Sequence, residues 1–89
     1  RFGGDEYLIV FPDTDGDAAQ NKLDDIRRNF SAVEHDTDRT SFTVTLSGGV
    51  AEFPEAVTSH QLISAADEAL YRAKRAGRDR VFRAGREGD

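Results

Sequence analysis

The chain has no cysteine, no methionine and no tryptophan, and only two prolines in 89 residues. Without cysteine there is no disulfide framework, no thiolate zinc site and no cysteine nucleophile, which agrees with a cytoplasmic setting. Long apolar runs are missing too. The longest, Tyr7 to Pro12, has the length of a strand and falls far short of the ~20 residues that cross a bilayer, so no membrane contact is expected from this segment. With no methionine, residue 1 is not a retained translation start, and Arg1-Phe2 leads straight into glycines and carboxylates rather than a secretory leader. The expectation is a piece of a longer protein, cut inside or just after a strand, with room for one small domain.

Positive charge is scarce through most of the chain. Residues 1–71 hold 5 Lys or Arg against 14 Asp or Glu, whereas residues 72–86 hold 7 basic side chains against Asp79 alone; the whole chain carries −5. A basic end on an acidic chain suits a small anion. The acidic majority would repel the backbone of a nucleic acid polymer.

The pattern predicts six elements. Arg1-Phe2, the Gly3-Gly4-Asp5-Glu6 turn and Tyr7 to Phe11 read as a hairpin, and its second strand, lacking alternation, is expected to be covered on both faces. Ala19, Leu23, Ile26, Phe30 and Val33 form the stripe of an amphipathic helix of about four turns. Glu34 to Ser41 reads as a polar loop containing a solvated His35. Phe42 to Ser47 alternates as a strand with one buried face, and Gly48-Gly49 marks a bulge or a close backbone approach. Thr58 and Gln61 make a capping box for a second helix with apolar positions at Leu62, Ala66, Ala69, Leu70, Ala73 and Ala76, and Gly77 fits its C′ position. Arg80 to Arg83 reads as a last strand, with Ala84 to Asp89 a frayed tail. The order is β-β-α-β-α-β, an α+β fold with helices packed on a sheet.

Two groups could carry chemistry. Asp5 and Glu6 could offer hard oxygens to a divalent cation beside glycines that admit a ligand; the plain alternative is a hairpin turn. Lys74 and Arg78, four apart, could both reach a phosphate; the plain alternative is that they complement a helix dipole. His35 and His60 lack metal-ligand spacing. Asp13, Asp15, Asp17, Asp24 and Asp25 read as a solvated acidic face.

Taken together, these residues resemble the GGDEF domains, the diguanylate cyclases. Arg1-Phe2-Gly3-Gly4-Asp5-Glu6-Tyr7 is similar to the signature, Val44 to Ala51 to the later strand, and Ala66 to Val81 to the final helix and strand. The resemblance spans residues 1–83, which it makes the C-terminal portion of the domain, with 84–89 a tail. It implies a palm-like nucleotide-cyclase fold. It also implies that two such domains, as a homodimer, condense two GTP into cyclic di-GMP and release pyrophosphate with Mg²⁺ or Mn²⁺, the fragment alone being inactive. Carried over by position, Asp5 and Glu6 become catalytic and metal-binding, and Gly3, Gly4, Lys74 and Arg78 become substrate-binding. An N-terminal sensory domain is implied in the parent chain. Three positions depart from the family: Tyr7 for Phe, Gly48 for Ile, which removes core volume, and Asp25 where some members bind inhibitory product through Arg. The competing expectation is a degenerate regulatory module that binds GTP or cyclic di-GMP without turnover. The intact signature and the basic pair favour the enzyme.

Overall fold

A computed structural model describes residues 14–52 and 58–85. The expected hairpin of residues 1–11, with Gly3, Gly4, Asp5, Glu6 and Tyr7, lies outside the described residues, as does Asp13. What is described begins with α1, Gly16–Ser31. Asp15 stays extended and its carboxylate accepts the Ala18 N–H at 2.8 Å, satisfying one of the donors that a helix start leaves open. The predicted stripe lies on this helix from Ala19 to Phe30, while Val33 falls past the Ala32 C-cap, and the stripe is buried only at one end. Ala19 is buried and Leu23 packs against the core, while Ile26, Phe30 and Val33 are 41%, 38% and 49% exposed.

After α1 the structure departs from the expected loop and strand. His35–Asp36 (β1) pairs antiparallel with Ser41–Phe42 (β2) in a short hairpin. Its turn is closed by the Thr37 N–H to the Thr40 carbonyl at 2.8 Å and by Thr37 Oγ1, which accepts the Thr40 N–H at 3.2 Å. His35 is half-buried rather than solvated, stacked on Phe42 with ring centroids 5.4 Å apart. Residues 43–47 form no strand. Alternation alone does not make a strand: among the described residues this stretch has no neighbour to pair with, and Phe42 and Val44 remain 45% and 39% exposed.

The core lies further on, in a parallel strand pair joined by a helix. β3, Gly48–Val50, pairs with β4, Val81–Arg83, in the register Gly48 to Val81, Gly49 to Phe82 and Val50 to Arg83. The ladder continues beyond them: Gly48 N–H donates to the Arg80 carbonyl at 2.9 Å and Ala84 N–H to the Val50 carbonyl at 2.7 Å. Ala84, assigned to the tail by the sequence, is therefore buried and paired. The connection is α2, Ser59–Arg75, capped by Thr58 Oγ1, which accepts the Gln61 N–H at 3.0 Å as the capping box required. Ala69 and Ala73 are fully buried on its sheet-facing side.

Of the two meanings offered for Gly48-Gly49, close approach is the one observed. A Cβ on Gly49 would overlap the Ala66 carbonyl oxygen and the Leu70 amide nitrogen of α2. Gly48 leaves no hole, since a Cβ there would sit 2.6 Å from Leu23 Cδ2; a leucine from α1 occupies the volume that the glycine vacates. Ala19, Val50 and Val81 form the buried cluster, with Leu23 packed on it. The architecture is α+β, in the described order α-β-β-β-α-β.

The acidic residues of α1 are paired rather than simply solvated. Asp17 reaches across to the buried Arg83 at the end of β4, and Glu52 meets the same guanidinium at 3.4 Å while accepting the Gly16 N–H. Asp24 and Asp25 both pair with Arg28.

Candidate functional site

Lys74 is the penultimate residue of α2, and the helix stops one residue later. The stop follows from Gly77, whose φ of 126° the other residues rarely adopt. Its N–H donates to the Lys74 carbonyl at 3.4 Å, and the Arg78 N–H reaches back to the Ala73 carbonyl at 3.0 Å. This is the paired bonding of a glycine-terminated helix. Arg78 therefore does not continue the face that carries Lys74, as a spacing of four in an unbroken helix would require. It stands in a turn folded back onto the helix end.

That turn is unusual in its backbone. Arg78 and Asp79 follow Gly77 with φ of 62° and 50°, two non-glycine residues in succession in the left-handed region. Asp79 is held from two sides. Its N–H donates to Ser47 Oγ at 3.0 Å, just before β3. Its carboxylate and carbonyl accept from Arg27 Nη1, at 2.8 and 3.3 Å. Arg27 is itself anchored by its Nε to Asp24 Oδ1 at 2.7 Å. The hydrogen bond from Arg27, reinforced by the charges of Arg27 and Arg28, holds the Asp24 carboxyl below its ordinary value despite some burial. The Asp24 and Asp79 hydrogen bonds in turn raise Arg27. Neither Arg27 nor Asp79 stood out in the sequence. The only local signal was the three-residue spacing of Asp24 and Arg27 on a helix.

The other described cations of the basic end have structural tasks. Arg72 donates to the Arg83 carbonyl at 3.1 Å and lies over the Phe82 ring. Arg75 covers the Tyr71 ring and donates to its hydroxyl at 3.0 Å. Arg80 Nε donates to the Arg78 carbonyl at 2.9 Å, and Arg83 is buried against carboxylates. Arg72, Lys74 and Arg75 also complement the dipole of α2, so that plain alternative is satisfied at the same time. The Arg78 side chain is exposed, and among the described residues it has no hydrogen-bond partner.

Lys74 is half-buried and, with Asp67, Leu70 and Tyr71, lines an open depression of about 120 Å³. That is well below the ~300 Å³ at which ligand pockets begin. Among the described residues no three His, Cys, Asp or Glu side chains gather so as to hold a metal ion. The metal expectation rests on Asp5 and Glu6, which with Gly3 and Gly4 lie outside the described residues. Among the described residues no helix is long and apolar enough to cross a membrane.

Comparison with known proteins adds a family to this geometry. The family model "Diguanylate cyclase, GGDEF domain" matches residues 1–80. The diguanylate cyclase DgcP of Pseudomonas aeruginosa is 36% identical over 81 residues, covering 91% of this chain and 12% of that protein. The response regulator PleD of Caulobacter vibrioides is 37% identical over 86 residues, covering 91% of this chain and 18% of that protein. In structure, the GGDEF domain of DgcB from Caulobacter crescentus, crystallised with c-di-GMP, matches with a TM-score of 0.78 at 32% identity, over 85% of this chain and 45% of that one. The chain thus spans a small part of these curated relatives and under half of the solved domain.

Proposed function

The chain belongs to the GGDEF family of diguanylate cyclase domains, and from that premise we propose that residues 1–83 are the C-terminal portion of a domain that joins two GTP into cyclic di-GMP, with 84–89 leading out of it. The observation that carries this is Arg78: a cation pinned in its backbone on both sides, exposed, and without a hydrogen-bond partner among the described residues. An unspent guanidinium on an anchored backbone is what a phosphate tail needs.

In the proposed reaction each ribose 3′-oxygen attacks the α-phosphorus of the opposite nucleotide. A 3′-O–P bond forms, the α–β anhydride bond breaks, pyrophosphate leaves, and the 3′-OH proton passes to the Asp5 carboxylate. The step occurs twice, so two domains must face each other as a homodimer. Arg78 and Lys74 hold the phosphate tail and offset the charge that grows on pyrophosphate as it departs. Gly3 and Gly4 leave the backbone open to the nucleotide. Asp5 and Glu6 carry the hard carboxylate oxygens that suit Mg²⁺ or Mn²⁺. Such a cation, when bound, offsets charge on the attacking and leaving oxygens. A cytoplasmic domain driven by an N-terminal sensory domain completes the proposal.

The test is to incubate the full-length protein with GTP and Mg²⁺ and separate the products by chromatography. Cyclic di-GMP should form with two pyrophosphates per molecule. Asp5→Ala should abolish it, and Arg78→Ala should lower kcat/KM roughly 10²-fold, the loss typical of one charge-stabilising contact. GTP bound with no product formed would make this a regulatory nucleotide-binding module instead.

A further inference from the structure

We propose that Arg27 is a positioning residue for the phosphate grip: from α1 it clamps Asp79, and through Asp79 it holds the left-handed turn that presents Arg78. The inference rests on the reading of Arg78 given above. Two successive non-glycine residues at positive φ are disfavoured in a free chain and persist only where their surroundings impose them. The helix end imposes the position of the Arg78 N–H, through Ala73. At Asp79 the N–H is held by Ser47 Oγ, and the carboxylate and carbonyl are held from 52 residues earlier in the chain. Arg27 Nη1 bonds both the carboxylate and the carbonyl of Asp79, which fixes a side chain and a peptide group together. Its Nε is held by Asp24, so the guanidinium plane is itself fixed, and its side chain is only 18% exposed. Arg78 shows the opposite pattern, an anchored backbone with an exposed guanidinium. The two arginines divide the work: one shapes the turn and the other is free to meet a ligand. Lysine replaces the first only in part, because a single ammonium lacks the planar fork that spans Asp24 and Asp79.

The experiment uses the full-length protein and measures kcat, the KM for GTP, competitive inhibition by pyrophosphate, and the melting temperature. Arg27→Ala should raise the KM and weaken pyrophosphate inhibition by about fivefold each, in the range of one ordinary hydrogen bond because the contact acts on Arg78 only through the turn, with kcat changed less. Arg27→Lys should fall between wild type and Arg27→Ala. In an Arg78→Ala background, Arg27→Ala should add less than about twofold, because both changes remove one function. If Arg78→Ala weakens pyrophosphate inhibition while Arg27→Ala only lowers the melting temperature or kcat, the positioning role is overturned and the phosphate reading stands. Fully multiplicative effects in the double variant would overturn it equally. If Arg78→Ala leaves pyrophosphate inhibition unchanged, the reading beneath it falls as well. Should Arg27→Ala not fold, Arg27→Lys is read by the same criteria.

Discussion

The two adjacent glycines of β3 should respond in opposite ways to the same added methyl group. At Gly49 the new Cβ would overlap the Ala66 carbonyl oxygen and the Leu70 amide nitrogen and would lie 3.0 Å from Leu70 Cα. All three are backbone atoms of α2, and they can retreat only if the helix moves as a body. At Gly48 the nearest atom is Leu23 Cδ2, at 2.6 Å, the far end of a side chain that can turn away. Neither glycine has the positive φ seen at Gly77, so alanine brings no backbone strain at either. Replacing glycine then restricts the unfolded chain and stabilises by ~0.4–1 kcal/mol. Overpacking costs ~1–3 kcal/mol and sits at the upper end where backbone must yield. Gly49→Ala should therefore lose about 2 kcal/mol net, while Gly48→Ala should stay within about 1 kcal/mol of wild type. For a domain of ordinary size this is a fall of roughly 4–8 °C in melting temperature for Gly49→Ala alone. Thermal unfolding followed by circular dichroism reads the difference. GTP turnover should drop with it, because α2 carries Lys74. A Gly49→Ala protein that melts with or above Gly48→Ala would refute the backbone contact.

Arg83 offers a second test. Glu52→Ala should cost ~3 kcal/mol in urea unfolding by leaving a buried guanidinium short of a carboxylate, whereas Arg83→Met should cost under ~1 kcal/mol because the stranded carboxylates reach water. The third concerns acid. Since the Asp24 carboxyl is held below its ordinary value of 3.8 in the folded state, its contribution is complete above that pH and is withdrawn as the pH falls through the lower, folded-state value. Asp24→Asn should lower stability at neutral pH and flatten the acid limb below about pH 4 in a pH series of unfolding curves.

Much of the fold was legible because its signals are local. Thr58 marks a helix start, Gly77 marks a helix end, and the stripe from Ala19 to Phe30 has helical spacing; each acts within a turn or two of itself. The stretch from His35 to Ser47 was misread because its outcome depends on what packs beside it. Phe42 found a partner in His35 one hairpin away, while Thr43 to Ser47 pair with no strand among the described residues. The site divides in the same way. Arg78 was singled out by its spacing from Lys74 and then by resemblance, but the reason it stands clear of α2 is the Gly77 turn, which a spacing of four does not disclose. The contacts of Arg27 with Asp79 and of Arg83 with Asp17 join residues more than fifty positions apart, and no window along the chain contains both members. The signature Gly3 to Glu6 was the plainest motif in the sequence, and it lies outside the described residues.

Where α2 meets β3, Gly49 lies against the backbone of Ala66 and Leu70, and the helix buries Ala69 and Ala73, side chains with no torsions to rearrange. A seam of this kind has no alternative packings among which to fluctuate, so the spacing of helix and strand is governed by covalent geometry. The last turn of α2 inherits that stiffness. Lys74 can flex along its own aliphatic stem while the platform beneath it stays at a constant height above β3.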